Sequence, residues 1–386
     1  MTGRIHHNKE RTVAIIGGGI GGLTAALSFA RRGAHVHVYE QAAALTEVGA
    51  GLQITPNGRR ALDAIGVGKA LAASGVTAQA VVPMDAMRSA AITRFDLSTQ
   101  SPPYLFMHRA ALIDILARGC QAAGVTLHLG QAISAPGPDG RFTAGGETQA
   151  PDLVIGADGI RSVVRGVINR ATEPFFTGQV AWRAMIKQDA VDPAAQIWMA
   201  PGRHLVTYPL PGDRLNIVAV QERQQWAAEG WHHADEPGNL RQAFADCGWA
   251  VKGILGQVEA VNLWGLYRHP VASVWQAGRI AILGDAAHPT LPFLAQGANL
   301  AIEDAYVLAR CSDETPDLAE GLRRYQELRR PRVSRAIKAA NANARNYHLR
   351  GVSRMMAHTG LRAMGAMAPN AFLNRLAWLY DHDVTA

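Results

Sequence analysis

The first forty residues alternate between short apolar runs and a longer helical stretch. Thr12–Ile16 is a β-branched and apolar run that predicts a strand, and His35–Glu40 alternates so that Val36 and Val38 share one face of a second strand. Between them, residues 23–32 are rich in Ala and Leu and predict a helix. Together the three segments form a strand–helix–strand unit, the building block of a parallel α/β sheet.

The same patterns continue downstream and then change. Thr55-Pro56-Asn57 is typical of an N-cap followed by proline at the first helical position, and it opens a helix through residue 62. Another helix is predicted at residues 109–123 and a buried strand at 152–156. From about residue 175 to 267, short β-type runs at 179–186, 204–209 and 215–221 are separated by Pro, Gly and Asp turns. These runs predict a second, sheet-based domain inserted into the first.

The last third returns to the first pattern. A strand is predicted at residues 279–283 and a helix from about 297 to 309, followed by helical chain with interruptions near Pro331 and Pro369. We therefore predict an α/β protein with four parts. They are a Rossmann-like domain, first part, at residues 11–174; an inserted sheet domain at 175–268; the second Rossmann-like part at 269–330; and a helical C-terminal region at 331–386.

Composition indicates a globular protein of a reducing compartment. The chain has 386 residues, 48% of them hydrophobic and 18% charged, and no apolar stretch approaches the roughly 20 residues that span a bilayer. The polar N-terminus lacks the apolar core of a signal peptide. Cys120, Cys247 and Cys311 form no metal-spaced cluster and cannot all pair. We expect a soluble cytoplasmic protein without a metal site.

The net charge of +7 raises the question of nucleic-acid binding. The densest basic stretch holds six arginines at helical spacing: Arg323, Arg324, Arg329, Arg330, Arg332 and Arg335. They surround Leu322, Tyr325 and Leu328, which predicts the solvated side of an amphipathic helix. No nucleic-acid partner is therefore expected.

The glycine turn after the first strand carries the first candidate chemistry. Gly17, Gly19 and Gly22 have the spacing of a dinucleotide-binding turn, and Glu40 ends the following strand. The helix that begins here offers free N–H groups to phosphates, and Glu40 can accept hydrogen bonds from a ribose. A chance glycine-rich turn is disfavoured because strand, turn, helix, strand and acid occur in order. This motif leaves NAD and FAD as alternatives.

Two later segments decide between them. The first comprises Gly284-Asp285-Ala286-Ala287-His288-Pro289, Leu291-Pro292-Phe293, Gln296-Gly297-Ala298-Asn299-Leu300 and Glu303-Asp304, and it resembles the flavin-ribityl motif of class A flavoprotein monooxygenases. The second, residues 152–162 with Arg165 behind it, resembles the second fingerprint of that family. The resemblance runs in order from Val13 to about Arg332.

The resemblance implies a class A flavoprotein monooxygenase architecture, with an FAD-binding Rossmann-like domain and an inserted substrate domain. FAD would contact the first turn at Gly17, Gly19, Ile20 and Gly22, together with Glu40. Asp285 would accept hydrogen bonds from the ribityl chain. The helix that begins near Gly297, with Ala298 and Asn299, would direct its positive dipole end at the N1/O2 edge of the flavin ring. Pro292 would place its carbonyl near the substrate.

Three further cofactor positions follow from the resemblance, each with a simpler alternative. Asp158 would serve the flavin and the nicotinamide, although an Asp-Gly pair is equally typical of a turn. Arg109 would reach the FAD pyrophosphate; the alternative is a surface arginine in a first helical turn. Gly49-Ala50-Gly51-Leu52 resembles the mobile segment over which the flavin swings, or is a plain flexible loop.

The candidate catalytic residues lie on a predicted strand of the inserted domain. His204, Val206 and Tyr208 point to one side of it. The strand resembles the substrate strand of salicylate hydroxylases, 3-hydroxybenzoate 6-hydroxylases and 6-hydroxynicotinate 3-monooxygenases, where a histidine and a tyrosine handle the phenolic oxygen. His204 would take the phenol proton; the alternative is a structural histidine. His288 is expected to be structural.

The implied activity is hydroxylation of a small aromatic substrate, a phenolic acid, with FAD, O₂ and NADH or NADPH through a flavin C4a-hydroperoxide. No second glycine fingerprint follows the first, in agreement with this family. One rival is a ring hydroxylase of quinone biosynthesis acting on a prenylated phenol, for which five C-terminal residues could offer a greasy surface: Met355, Met356, Leu361, Met364 and Met367. Another rival is a non-catalytic FAD-binding redox protein. The substrate, the arginine for its carboxylate and a homodimer remain open.

Overall fold

The computed structural model describes residues 6–45, 51–170, 172–223 and 233–386. Its strands are β1 Thr12–Ile16, β2 His35–Glu40, β3 Gly51–Ile54, β4 Val76–Thr77, β5 Ala80–Asp85, β6 Ala90–Ala91, β7 Phe95–Asp96, β8 Leu105–His108, β9 Thr126–Leu129, β10 Phe142–Ala144, β11 Glu147–Gln149, β12 Leu153–Gly156, β13 Phe175–Lys187, β14 Ala194–Ala200, β15 Arg203–Leu210, β16 Arg214–Glu222, β17 His233–Asp235, β18 Val261–Arg268, β19 Gln276–Ala277 and β20 Ile280–Ile282.

The helices cover the sheets and form the C-terminal region. They are α1 Ile20–Ala30, α2 Pro56–Ala64, α3 Gly68–Ser74, α4 Arg109–Ala122, α5 Val163–Ile168, α6 Pro237–Ala243, α7 Trp249–Gly256, α8 Gln296–Asp313, α9 Leu318–Tyr347, α10 Gly351–Met367 and α11 Ala371–Tyr380, with a 3₁₀ turn at Gly284–Ala286.

A mostly parallel sheet holds the N-terminal strand–helix–strand unit. Its strand order is β19-β20-β12-β1-β2-β9, and only the β19–β20 pair is antiparallel. Residues 13–16 of β1 are buried, as expected for a parallel strand covered on both faces. Because β2 and β12 lie on opposite sides of β1, the order in which strands are added to the sheet reverses at β1. Open α/β sheets bind ligands at such a point.

A nine-stranded, largely antiparallel sheet, called the large sheet below, packs against the core of the parallel sheet. Its order is β17-β18-β13-β16-β15-β14-β5-β6, with β7 also paired to β5. Strands β5, β6 and β7 come from residues 80–96, upstream of the segment expected to form the inserted domain, and β5 joins by a parallel pairing with β14. The division of the chain into domains therefore stays a proposal, because this sheet draws strands from both sides of residue 175.

The two faces of the large sheet have different partners. Trp182, Leu205 and Ile217 pack into a core with α6 and α7. The opposite face carries Val220 and Val218, which pack against the core of the parallel sheet. Cross-strand pairs His204–Val220, Val206–Val218 and Arg183–Val218 place these residues on that inner face, as Tyr208–Asn216 does for Tyr208. The predicted common face of His204, Val206 and Tyr208 is thus confirmed.

Helix α9 is continuous from Leu318 to Tyr347, so the interruption expected near Pro331 is wrong. A proline inside a helix costs about 3 kcal/mol, because it removes a hydrogen bond and clashes with the preceding turn. Here the buried residues Leu322 and Tyr325 before it and Val333 after it anchor both sides, while Pro331 faces solvent. The break expected near Pro369 is confirmed by the gap between α10 and α11.

A buried ion network joins α8 to α9. The Arg329 guanidinium is 2.5 Å from the Glu303 carboxylate and 2.7 Å from that of Asp304, and Arg332 is 2.7 Å from Glu303. Burial opposes the charges of both acids, but Arg329 and Arg332 outweigh it at Glu303, and His288 and Arg329 outweigh it at Asp304, so that both pKa values lie below their usual range. The expectation that all six arginines face solvent is therefore wrong: Arg329 is 1% exposed, and its neighbour Leu328 is exposed instead.

Two further properties bear on the setting of the protein. None of the described helices is both long and apolar enough to cross a membrane. Cys120, Cys247 and Cys311 are buried, unpaired thiols.

We predict that Arg329→Leu destabilises the fold by about 3–5 kcal/mol, because two buried carboxylates lose the one countercharge that they share. The exposed neighbour Arg330 provides the matched control, and Arg330→Leu should stay within about 0.5 kcal/mol of the parent protein. Denaturant unfolding of the three proteins measures the difference. Equal stability of the two variants would contradict a supporting role for the ion network.

Candidate active site

The site lies where three parallel strands end. Gly17 follows β1, Ala157 follows β12 and Leu283 follows β20. Backbone hydrogen bonds continue across these ends, from Ala157 to the Ile16 carbonyl at 2.8 Å and from Leu283 to the Gly156 carbonyl at 3.0 Å. The sequence-predicted turns at residues 17–22, 157–159 and 284–286 therefore converge on one crevice, which the inner face of the large sheet covers.

The glycines of the first turn have two different functions. Gly17 has φ +106°, and a Cβ there would lie 2.4 Å from the Ala157 carbonyl oxygen; a Cβ on Gly22 would lie 2.0 Å from the Gly17 carbonyl oxygen. These two positions need glycine for packing within the protein. Gly19, directly before α1, is different, because a Cβ there would meet no atom of the described residues within 4 Å. Open space thus lies in front of the α1 N-terminus, at Gly19 and Ile20, where an anion is stabilised.

Glu40 holds the glycine turn from the end of β2. One carboxylate oxygen accepts a hydrogen bond from the Gly18 amide at 2.7 Å, and the other accepts from Ala42 at 2.8 Å. A carboxylate has about four lone-pair sites, so these bonds leave acceptor capacity for a diol. The predicted acid and the predicted turn are therefore adjacent.

Asp285 and Arg109 lie close enough for the charge of each to affect the pKa of the other. The Asp285 side chain is exposed toward the crevice. Desolvation by the surrounding protein raises its pKa, and the charges of His288 and Arg109 oppose this shift. Desolvation lowers the pKa of Arg109, and Asp285 opposes that change. Arg109 begins α4 and Asp285 lies in the 3₁₀ turn after β20. Tertiary structure thus brings the two predicted cofactor residues together.

The N-terminus of α8 also opens on the crevice. Ala295 takes a left-handed conformation with φ 54°, and the helix begins at the next residue. Gly297 and Ala298 are half-buried, with no protein atom within 4 Å of a Cβ built on Gly297. Asn299 is fully buried and binds backbone instead, accepting from the Thr55 amide at 3.0 Å. The structure gives Asn299 a positioning role, and its contact with a cofactor stays a prediction.

Asp158 has local partners. Its carboxylate accepts hydrogen bonds from the Ser162 hydroxyl at 2.5 Å and the Val163 amide at 2.8 Å, at the start of α5. Burial raises its pKa against these bonds. Arg165 in α5 then donates to the Pro270 carbonyl at 2.8 Å and the Ala286 carbonyl at 3.2 Å. The second fingerprint thereby fixes the turn that carries Asp285, while contacts of Asp158 with flavin or nicotinamide remain predictions.

Gly51 links the crevice to the large sheet. Its amide donates to Asn216 Oδ1 at 2.8 Å, and a Cβ on Gly51 would lie 2.8 Å from the Tyr208 ring. Gly49 and Ala50, the other glycine and alanine of the expected mobile segment, lie outside the described residues. The close packing explains why glycine is required at position 51.

The predicted catalytic residues His204 and Tyr208 lie on the inner face of the large sheet. His204 is 1% exposed, and its ring lies 5.4 Å from that of Phe293, next to Pro292. Burial, with a smaller effect of His348, holds its pKa well below the usual value, so the imidazole is neutral. Burial likewise raises the pKa of the Tyr208 phenol, which stays protonated. The predicted catalytic residues therefore face the same crevice as the predicted cofactor residues.

Arg183 is a site residue that the sequence reasoning missed. It lies on the inner face of β13, and desolvation lowers its pKa to about 10, with Tyr208 opposing and Arg109 adding to the shift. Its guanidinium lies 4.5 Å from the Trp264 ring centre, and no described residue accepts a hydrogen bond from its buried Nε. The available signal was an arginine among apolar residues in the strand predicted at 179–186. The sequence did not show which face of that strand would line the crevice.

The residues present fit the FAD that the resemblance implies. An open helix N-terminus at Gly19 suits a pyrophosphate, with Arg109 as a countercharge. Glu40 and Asp285 supply carboxylates for ribose and ribityl hydroxyls. The second open helix N-terminus, at Gly297, suits an electron-rich ring edge.

Comparisons with known proteins agree with this site. Residues 10–340 match the model of the FAD binding domain family. The chain is 36% identical over 357 residues to 3-amino-4-hydroxybenzoate 2-monooxygenase of Streptomyces cremeus, covering 89% of each protein. It is 32% identical to 3-hydroxybenzoate 6-hydroxylase of Polaromonas naphthalenivorans (strain CJ2), covering 96% of each. A salicylate hydroxylase substrate complex superposes with a TM-score of 0.80 at 25% identity, covering 97% of this chain and 96% of that one.

We predict that Gly19→Val abolishes retention of FAD without unfolding the protein, because the new side chain meets only the open space before α1. Gly253→Val is the matched control, since Gly253 is an exposed helical glycine that also has no neighbour within 4 Å. Flavin absorbance after purification measures retention, and circular dichroism of the apoprotein checks the fold. A yellow Gly19→Val protein with normal flavin content would contradict this location of the cofactor.

Proposed function

The chain belongs to the FAD-binding domain family of flavoprotein aromatic monooxygenases, and on this basis we propose that it hydroxylates a small aromatic carboxylic acid bearing a phenolic hydroxyl group. Both relatives described above are named for benzoates that carry a hydroxyl group. The proposal extends that substrate class to this chain. FAD is the cofactor, and NADH or NADPH is the reductant.

Arg183, a half-buried residue with a buried Nε, is the observation that carries the substrate class. A guanidinium on the inner face of the sheet, with an Nε that no described residue binds, is costly unless a ligand supplies acceptors. A planar carboxylate matches the fork of an arginine and can be bound through two hydrogen bonds. Arg183 is therefore our candidate for the residue that holds the substrate carboxylate.

His204 is the candidate that receives the phenol proton. Its Nδ1 is engaged with His348 at 2.8 Å, which leaves Nε2 as the ring nitrogen for a substrate hydroxyl. Because burial keeps the imidazole neutral, it can accept a proton at neutral pH. Loss of that proton makes the substrate ring more electron-rich and therefore a better nucleophile. Tyr208, protonated on the same strand, can donate a hydrogen bond to the substrate.

When bound, FAD supplies hydride acceptance from the reduced nicotinamide and activation of O₂. The chain provides the position and the surroundings. Phe293, beside Pro292, is buried, and Val206 and Val218 form an apolar strip between His204 and Tyr208 on the sheet. Apolar walls limit access of water, which protects a reactive oxygen species from wasteful breakdown.

A prenylated phenol is the alternative substrate. Met355, Met356 and Met367 of α10 are exposed and could lie against a lipid-like partner. The half-buried cation Arg183 disfavours a neutral substrate, which would leave its buried Nε without an acceptor. A non-catalytic redox protein is the other alternative, and it has no need for a carboxylate site. We also propose a cytoplasmic location, which fits the three unpaired thiols.

A substrate screen tests the proposal directly. The holoenzyme is incubated with NADH or NADPH, O₂ and a panel of hydroxybenzoates, aminohydroxybenzoates, neutral amides and prenylphenols. We expect substrate-stimulated oxidation of the nicotinamide with an aromatic acid and a product heavier by one oxygen atom. Turnover of prenylphenols but not acids would favour the quinone alternative, and oxidation unaffected by any phenol would favour the redox protein.

We predict that Arg183→Met raises KM for the preferred acid by about 10- to 100-fold, the equivalent of losing a charge-assisted hydrogen bond pair. KM for the corresponding amide should rise far less, because a neutral amide gains little binding energy from the guanidinium. Arg214→Met on β16 is the control, since Arg214 is exposed. Steady-state kinetics with the acid and its amide provide the comparison. An equal rise in KM for both compounds would show that Arg183 does not bind the carboxylate.

We predict that His204→Ala lowers formation of hydroxylated product by about 10²-fold or more, the contribution of a positioned general base, while FAD stays bound. Product and H₂O₂ are measured together, so that uncoupled oxidation is visible. His269→Ala serves as the control, because His269 is also buried but contacts Thr172. Undiminished hydroxylation by His204→Ala would exclude His204 from proton transfer.

A further inference from the structure

A hydrogen-bonded row of three side chains leads from the crevice to the surface. His204 Nδ1 lies 2.8 Å from His348 Nε2, and His348 Nδ1 lies 3.0 Å from Glu222 Oε1. His348 thus uses one ring nitrogen toward His204 and the other toward the surface residue Glu222. The row joins residues from β15, from the end of α9 and from the end of β16.

Exposure increases along this row. The side chains of His204 and His348 are buried, whereas that of Glu222 is 43% exposed. Backbone contacts fix the outer end, because the Gly202 amide donates to the His348 carbonyl at 3.1 Å and the Glu222 amide donates to the Gly202 carbonyl at 3.0 Å. The two histidines are therefore held in place where solvent is excluded, and the carboxylate meets water.

The charged and titratable groups around the row are few among the described residues. Glu222 also binds Arg350 at 2.9 Å, and partial burial of Glu222 is outweighed by Arg350 and His348, so its pKa is lowered. Burial lowers the pKa of His348, against the effect of Glu222. The rings of Tyr347 and Phe293 flank His204 at 5.2 Å and 5.4 Å. At neutral pH the row consists of two neutral imidazoles and one carboxylate.

We propose that His204, His348 and Glu222 form a proton relay that carries the substrate's hydroxyl proton to solvent. The inference rests on the proposed function, in which His204 meets a phenol, and it assigns roles to two residues that do not touch the substrate. His348 and Glu222 are positioning and relay residues that act through His204.

The transfer balances at each step. The substrate O–H bond breaks as an N–H bond forms at His204 Nε2, and the proton on His204 Nδ1 passes to His348 Nε2. The proton on His348 Nδ1 passes to Glu222 Oε1, which releases it to water. Both imidazoles end neutral with their protons on the opposite nitrogens. They return to the starting tautomers by the reverse transfer, in which Glu222 takes a proton from water and the Nε2 proton of His204 passes to the phenolate oxygen of the product. The substrate is left as the phenolate, to which the protonated Tyr208 can donate a hydrogen bond.

The relay explains how a buried histidine can act as a base. Burial disfavours a positively charged His204, so an isolated imidazole here would hold a proton poorly. A neighbour that takes the second proton removes the need for a buried cation. Without His348 and Glu222, His204 would have to store the charge in an apolar site.

Two variants interrupt the relay and one leaves it intact. His348→Gln removes the second imidazole, and Glu222→Gln removes the terminal acceptor at a partly exposed position. The matched control is Arg350→Gln, which breaks the same ion pair with Glu222 but spares all three relay groups. FAD content and thermal unfolding are measured for each holoenzyme, and Glu222→Gln tests the relay even if His348→Gln folds poorly.

The decisive readout is the rate at which a bound phenol ionises. The probe is 4-hydroxy-3-nitrobenzoate, whose phenolate absorbs visible light, mixed with each holoenzyme by stopped flow below the pKa of the free phenol. We expect both relay variants to ionise the bound probe about 10²-fold more slowly than the parent, as for loss of a proton-transfer group. Added imidazole should restore part of the rate, and Arg350→Gln should resemble the parent.

Parent-like ionisation rates in both relay variants would overturn the relay. The relay would also be overturned if the ionisation rates were slow in the relay variants and in Arg350→Gln alike and imidazole did not restore them. That result would indicate a structural role for the surface ion pair. The proposed function is judged separately by the parent enzyme in the substrate screen. If the parent hydroxylates an acid and His204→Ala does not, parent-like rates in the relay variants refute the relay alone.

Discussion

The buried ion network between α8 and α9 is the constraint on which the site depends. Arg329 pairs with Glu303 and Asp304, and Asp304 also binds His288 of the turn that carries Asp285. Leaving a buried charge unpaired is strongly destabilising, so the network favours the observed register of α8 against α9. Glu303 extends the network to Asn57 in α2 through a 2.6 Å hydrogen bond. Both the Asp285 turn and the α8 N-terminus therefore have fixed positions.

The two sides of the crevice do different chemistry because they come from different sheets. The parallel sheet ends in turns where helix N-termini and carboxylates face open space, which suits a charged, hydroxyl-rich cofactor. The antiparallel sheet presents alternate residues on one flat face, which suits an aromatic ring held at several points. Gly51 connects the two, with its amide on Asn216 and its α-carbon against Tyr208.

Burial sets the charge states of the residues that we propose to contact the substrate. Arg183 carries a charge that no described residue fully satisfies, so an anionic substrate gains more there than it would in water. His204 has the opposite requirement, because its charged form is disfavoured in the same surroundings. An anion-binding cation and a neutral base can coexist in one apolar site if the proton leaves it, which links substrate selection to proton removal.

The sequence alone determined the local chemistry: the glycine turn with Glu40, the Asp285 motif and the strand that aligns His204 with Tyr208. These motifs were enough to predict FAD as the cofactor and the architecture of the chain. Period and motif specify which residues share a face, but they do not specify what covers that face. Tertiary packing decided that Arg329 is buried rather than solvated, that α9 continues through Pro331, and that β5 joins the large sheet. It also placed Arg183 in the crevice and His348 beside His204. These outcomes depend on contacts between distant segments, whose energies no local pattern contains.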